Sequence, residues 1–525
     1  MSGPRTSEDG TEGPRPPGEF DEPLDGTPLG APGPAVEEPA VDLKRRTALS
    51  ILWTVAYTGS DYVFSFIVFA VLARQLGPAA FGLYVLAVAF AEFGKVIPST
   101  GLVSALGRAR HVSPEMADTV FWSTLALAGV VTVILALVAP LLAAALGEPA
   151  VAPLLTAVGA IFPISALGAT HIALMLREFG HKAMAPRSVV SGVLGGAAAL
   201  TAAWAGWGAW SLVVQRGVVE ITGTAMAWQA YRWLPGRRYS FATLREMAGL
   251  SASITLTQLL FVSLVRVQDV IIGRVIGAPA VGIYRTAWRT IDLIAQGAIL
   301  PFSQVSLLTL ARLQDDLPAF RKAYLRIISV SSALAFPAII GFAVLAPEAI
   351  PLIFGDQWTE SGRIAQLFGL MAVPFTLNRF AGPGLAALGR SGTLARLAVL
   401  QVALTVLFSL LAAPFGLTAM AAAYVLRAYA TLPVQMRAFK RFSGLGYWQV
   451  WEAIAPALLM ALVMAGGLLA LGHFIEDRFH HRGIFLLAMI LAGSALYAAS
   501  LMLFARKFVL EQIRDLARLR PSHVR

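Results

Sequence analysis

From Thr47 onward, apolar stretches long enough to cross a membrane follow one another almost without pause. A helix needs about 20 residues to span roughly 30 Å of hydrocarbon, and fourteen stretches approach or exceed that length: 48–73, 81–105, 118–144, 152–175, 186–204, 208–231, 250–276, 282–311, 324–346, 362–388, 393–413, 417–437, 450–472 and 484–505. Gly and Pro interrupt the fourth and fifth. The pattern predicts an all-α polytopic membrane protein of about 14 helices, and composition agrees, with 57% hydrophobic residues, 14% charged residues and a mean hydropathy of +0.70. The absence of cysteine excludes disulfide frameworks, thiolate nucleophiles and cysteine metal sites. The seven histidines are scattered and form no helical pair, so neither a metal nor a cofactor is expected, and no nucleic-acid partner.

Charge divides the chain unevenly. Met1 to Asp42 holds ten acidic residues against two Arg, with Pro or Gly at 16 of its 42 positions, leaving the remainder to carry a net +19. Such a segment buries too little apolar surface to offset its ordering entropy, so residues 1–46 are expected to be a disordered tail rather than a cleaved signal peptide. Lys and Arg mark alternate loops: Lys44-Arg45-Arg46, Arg108/Arg110, Arg177/Lys182/Arg187, Arg232/Arg237/Arg238, Arg312/Arg321/Lys322, Arg390/Arg396, Arg437/Lys440/Arg441 and the tail from Arg506. Short basic loops stay in the cytoplasm, which places both termini there. Trp204, Trp207 and Trp210 fall at the opposite face, as an interfacial aromatic belt would.

The chain repeats itself. LARQLGPAAFGLY (72–84) and IGRVIGAPAVGIY (272–284) align without gaps at an offset of 200, matching Arg74 with Arg274, Gly77 with Gly277, Gly82 with Gly282 and Tyr84 with Tyr284. The expected organisation is a six-helix bundle over 47–238, a second over 239–441, a helix pair over 442–505 and a basic amphipathic tail over 506–525. The two bundles are parallel repeats about an axis along the membrane normal, a transporter design.

A charge at the bilayer centre costs about 2.5–3.5 kcal/mol, so the charges inside the helices direct the functional reading. Arg285, Arg289, Asp292 and Gln296 share one face of the eighth helix. The seventh adds Gln258, Arg266 and Asp269; the first Thr54, Thr58, Asp61 and Ser65; the second Glu92 and Lys95; the sixth Arg216 and Glu220; the tenth Asn378 and Arg379; the twelfth Arg427. Local ion pairs are expected where spacing allows, between Arg266 and Asp269, Arg289 and Asp292, and Arg216 and Glu220. Arg379 and Arg427 have no acidic neighbour in sequence, so the inferred cavity carries a positive surplus suited to a phosphate, which guanidinium groups grip in bidentate fashion. Pro98 and Pro301, near the ends of the second and eighth helices, are hinge candidates.

Through LARQLGPAAFGLYVLAVAF, GLVSALGRARHVSPEMADTVFWSTL, LREFGHKAM and VQDVIIGRVIGAPAVGIYRTAW, the chain resembles the polysaccharide transporter branch of the multidrug/oligosaccharidyl-lipid/polysaccharide flippase superfamily, near the exopolysaccharide, colanic-acid-type exporters. The resemblance covers about 47–510, and Asp269, Gly273, Gly277 and Gly282 fall in its most characteristic stretch. It departs from the pattern at Ile283-Tyr284, where a tyrosine pair is usual, and in its acidic tail. It implies a V-shaped pair of bundles around a cationic cavity lined by helices 1, 2, 7 and 8, and a flippase for a polyprenyl-pyrophosphate-linked oligosaccharide. Membrane lipids, glycosyltransferases and a polymerase are the partners it implies.

Among rivals, a membrane glycosyltransferase or polymerase lacks sizeable outer loops here, and an ATP-driven pump lacks a phosphate-binding G-x-x-x-x-G-K-[ST]. A multidrug exporter of the same superfamily favours an acidic cavity rather than an arginine-rich one. Glu476, Asp477, His480 and His481 read as a solvated loop rather than a metal site, and Phe508, Val509, Ile513 and Leu516 with Arg514 and Arg518 as an interfacial helix.

Overall fold

Glycine decides where the first long helix turns. In a computed structural model of the protein, α1 (Ala40–Arg108) consists of two limbs meeting at Gly77, whose φ of 69° and ψ of 172° lie outside helical space. The same device separates α7 (Phe241–Val275) from α8 (Ala278–Arg312) at Gly277, with φ 109° and ψ 170°. A side chain at either position would strain a backbone that only glycine adopts freely. The structure describes residues 40–109, 111–177, 181–475 and 481–504. The acidic tail to residue 39, Glu476, Asp477, His480 and the amphipathic segment from 506 lie outside the described residues, as do the side chains of Thr54, Thr58, Asp61 and Pro301. Helix α1 begins at Ala40, so residues 40–46, expected in the tail, are helical; Ala, Leu, Lys and Arg in this short run favour that state.

The remaining helices are α2 (Pro114–Leu146), α3 (Val151–Ala160), α4 (Phe162–Arg177), α5 (His181–Trp204), α6 (Trp210–Ala230), α9 (Leu317–Phe354), α10 (Thr359–Gly369), α11 (Ala372–Ala387), α12 (Ser391–Ala412), α13 (Leu417–Ser443), α14 (Tyr447–Ile475) and α15 (Arg482–Phe504). With α1 counted as two limbs, and α3/α4 and α10/α11 each counted as one interrupted path, fourteen helical paths follow the order of the apolar stretches. The protein is thus an all-α polytopic membrane protein. Nine of its described helical stretches are long and apolar enough to cross a membrane, or ten if α10 and α11, bent by 64°, form one span. Helices α6 and α8 fall short because charged and amide side chains occupy one face of each.

The two paths are interrupted where proline follows, at Ile161 before Pro163 and, with the 64° bend, at residues 370–371 before Pro374. The second bend interrupts the stretch expected to be continuous over 362–388. Side chains supply donors to carbonyls at these interruptions: Tyr429 donates to Leu370 O at 2.7 Å and Thr132 Oγ1 to Gly159 O at 2.8 Å, as a water-free interior requires. By contrast, helical geometry continues through Pro98 and Pro301.

Two close backbone contacts join the repeated turns. A Cβ added at Gly82 would lie 1.7 Å from Ala278 O, and one at Gly282 would lie 2.1 Å from Pro78 O. Pro78 and Ala278 occupy the same place in the two copies, so the contact is reciprocal, as two-fold pseudosymmetry produces. At the other end of the bundle, Gly101 on α1 sits where a Cβ would be 2.6 Å from Ser251 O of α7.

Candidate functional site

Between these contacts the two limbs of α1 enclose a cavity with α6, α7 and α8. Its volume is about 360 Å³, and Ser65, Phe69, Tyr84, Gln215, Arg266, Arg285, Trp288, Arg289 and Asp292 contribute to its wall. The 3.6-residue repeat of α8 brings Arg285, Arg289 and Asp292 to this wall. Arg285 and Asp292 stand about 10 and 21 Å along that helix from its first residue, at 1.5 Å per residue.

Behind the wall, Asp269 is fully buried on α7 and receives two guanidiniums: Arg266 Nη1 at 3.3 Å and Arg285 Nε. Arg266 also donates from Nε to Glu92 Oε2 at 2.7 Å, joining α7 to the second limb of α1. Arg285 additionally reaches Val265 O. Arg289 is held differently. Its Nη2 donates to Ser65 Oγ at 2.8 Å and its guanidinium lies 4.2 Å from the Phe69 ring centroid, while among the described residues no carboxylate stands at ion-pair distance from it. Asp292 accepts from Gln296 Nε2 at 2.6 Å.

Of the local pairs expected from spacing, Arg266 with Asp269 forms, whereas Arg289 does not pair with Asp292 nor Arg216 with Glu220. Glu220 is taken instead by Lys95 Nζ at 2.6 Å, and Arg216, half-buried, acts electrostatically on both Glu92 and Glu220. Spacing predicts which side chains share a face of one helix; neighbouring helices decide which pairs form.

Arg379 and Arg427 are not in this cavity. They line a separate chamber of about 560 Å³ between α7, α8, α11, α12 and α13, and Trp288 is the one side chain common to both linings among the described residues. The arginines expected in one cavity are therefore divided between two spaces. Around the centre, Lys95, Arg216, Arg266, Arg285 and Arg289 face Glu92, Glu220, Asp269 and Asp292. The chamber has two arginines and no carboxylate in its lining.

Several site residues escaped the sequence reading. Trp288, Phe69 and Gln215 line the centre, and Arg187, Ser188 and Ser191 line a smaller space of about 290 Å³ beside Glu220. An aromatic side chain in an apolar helix carries no signal separating a cavity wall from a core. At the turn end, Arg74 donates to Leu352 O and Ile353 O, Gln357 Nε2 donates to Ala73 O at 3.1 Å, and Glu148 accepts from the backbone N–H of Ala278 at 3.0 Å. Repetition singles out Arg74, but its partners are more than 270 residues away.

Comparison with known proteins places this site in a family. The sequence profile described as "Polysaccharide biosynthesis protein" matches residues 71–363, over half of the chain and both glycine turns. The chain belongs to that family. It is 28% identical over 334 residues to the succinoglycan biosynthesis transport protein ExoT of Rhizobium meliloti (strain 1021), covering 63% of this chain and 67% of that protein. It is 22% identical over 336 residues to the lipopolysaccharide biosynthesis protein WzxC of Escherichia coli (strain K12), covering 62% and 67%. In fold it is similar to the lipid II flippase MurJ in an inward closed conformation, with a TM-score of 0.71 at 12% identity over 87% of this chain and all of that one. A multidrug resistance MATE transporter in an inward-facing conformation gives a TM-score of 0.51 at 17% identity over 76% of this chain and 96% of that one.

Proposed function

We propose that this family member is a flippase that moves a polyprenyl-pyrophosphate-linked oligosaccharide across the bacterial inner membrane by alternating access, for exopolysaccharide or lipopolysaccharide biosynthesis. It is a transporter rather than an enzyme. The observation that carries the reading is the convergence of Arg266, Arg285 and Arg289 on an interior cavity, with Arg289 hydrogen-bonded but without a carboxylate partner among the described residues. A guanidinium so placed stabilises a visiting phosphate. Arg216 adds long-range attraction, and the polyprenyl chain remains in the bilayer.

The relatives named for succinoglycan transport and lipopolysaccharide biosynthesis support the cargo class. The basic loops support placing the turn end outside and both termini in the cytoplasm. Movement requires the Gly82/Gly282 contact and the Gly101 contact to open in alternation. Energy comes from the membrane potential or an ion gradient. Among Asp61, Glu92, Asp269 and Asp292, the best coupling carboxylate is Asp292, which stands in the cavity wall with Gln296 as its hydrogen-bond donor. Glycosyltransferases and a polymerase of the same pathway would supply and consume the cargo.

The test is translocation of a fluorescent polyprenyl-pyrophosphate oligosaccharide in proteoliposomes. Arg289→Gln should lower the rate at least about tenfold, the value of one charge-assisted hydrogen bond, with thermal stability unchanged. An unaltered rate in Arg289→Gln and in Arg285→Gln would rule out the cavity as the phosphate site.

A further inference from the structure

The second chamber is built unlike the centre. Arg427, on α13, is 4% exposed, its Nε has no partner, and its guanidinium lies 4.3 Å from the Tyr424 ring centroid. Gln435 is 5% exposed, and its Oε1 is likewise unpartnered, as is Asn378 Oδ1 on α11. Arg379 is exposed towards the open part of the chamber, and Trp288 and Phe375 add aromatic wall. Leaving buried polar atoms without partners costs about 1–3 kcal/mol each, so the arrangement stores affinity for whatever satisfies them.

The unmet groups describe their ligand. Asp292, beyond the Trp288 wall, acts electrostatically on Arg379, but no carboxylate lines the chamber itself, and two guanidiniums there call for an anion. Two amide oxygens accept only from donors, and the hydroxyls of a sugar supply them. Aromatic faces take the apolar side of a ring. An inorganic ion supplies the charge but no apolar face, and fills little of about 560 Å³. We infer that this chamber is a subsite for an acidic sugar, a pyranose bearing a carboxylate, within the transported oligosaccharide. Arg427 and Arg379 hold the carboxylate, Gln435 and Asn378 accept hydroxyls, and Trp288 stands between this sugar and the central cavity. The inference rests on the flippase reading, since it assigns a sugar to the cargo.

Calorimetric titration of the purified full-length protein in detergent tests it, with D-glucuronate as probe and D-glucose, chloride, phosphate and pyrophosphate as controls. Glucuronate should bind at least about tenfold more tightly than glucose, a difference of 1.4 kcal/mol. Arg427→Gln should weaken glucuronate by a similar factor without weakening pyrophosphate. Arg379→Gln, at an exposed position that folding tolerates, should do the same. Equal binding of glucose, full displacement by chloride or phosphate at equal concentration, or no glucuronate binding would overturn the assignment. So would a loss of glucuronate binding in Arg289→Gln with none in Arg427→Gln and Arg379→Gln. Failure of the wild-type protein to bind pyrophosphate, with glucuronate binding intact, would count against the central phosphate site and leave the chamber standing.

Discussion

The groups around the central cavity compensate one another, and those of the second chamber do not. Around the centre Lys95 meets Glu220 at 2.6 Å, Glu92 of the first half meets Arg266 of the second at 2.7 Å, and Asp269 gathers Arg266 and Arg285. Arg427 and Arg379, by contrast, have no acid in the lining of their chamber. The glycine turns at 77–82 and 277–282 show the same backbone solution in both halves. The turns thus share one backbone solution, whereas the two polar spaces differ in how their charge is met.

The largest expected effect lies at Asp269. Asp269→Asn removes the charge that two half-buried guanidiniums share, and breaking a buried pair costs about 3–5 kcal/mol, so the thermal midpoint in detergent should fall steeply. A small shift would mean that Glu92 alone compensates both arginines. Next come the glycines. Gly82→Ala and Gly282→Ala each force a methyl against a carbonyl, and overpacking costs about 1–3 kcal/mol. Similar destabilisation in the two variants would sharpen the equivalence of the turns, and a pronounced difference would break it. Gly107→Ala, which meets nothing within 4 Å, should be close to neutral. A double-mutant cycle on Lys95→Met and Glu220→Gln should return a coupling of about 1–2 kcal/mol, and a coupling near zero would remove the claim that this pair compensates charge beside the central cavity. The smallest effect belongs to Arg482→Ala. Its partner Asp356 is 84% exposed, so unfolding should change by less than about 1 kcal/mol.

Hydropathy made the helices legible because a membrane imposes one length and one chemistry on every span. Periodicity likewise grouped Arg285, Arg289 and Asp292 on one face, and all three line the cavity. Partner choice was not legible. Arg216 sits four residues before Glu220 and looks like its partner, but Glu220 binds Lys95 from a helix 125 residues earlier, because helix rotation and packing decide which heads converge. For the same reason the spacing of Arg379 and Arg427 could not separate them from the central arginines. The bend at residues 370–371 left little trace, since Leu370-Met371-Ala372 is as apolar as its surroundings and only Pro374 hints at it.

The meeting of Gly82 with Ala278 and of Gly282 with Pro78 is peptide against peptide. The close contacts themselves carry no titratable group, so at this end protons and salt act through neighbouring groups such as Glu148 and Arg74. Whatever releases them must pull from a distance, and the long, continuous helices running inward from each turn are the levers through which an event in the cavity would be felt at the rim.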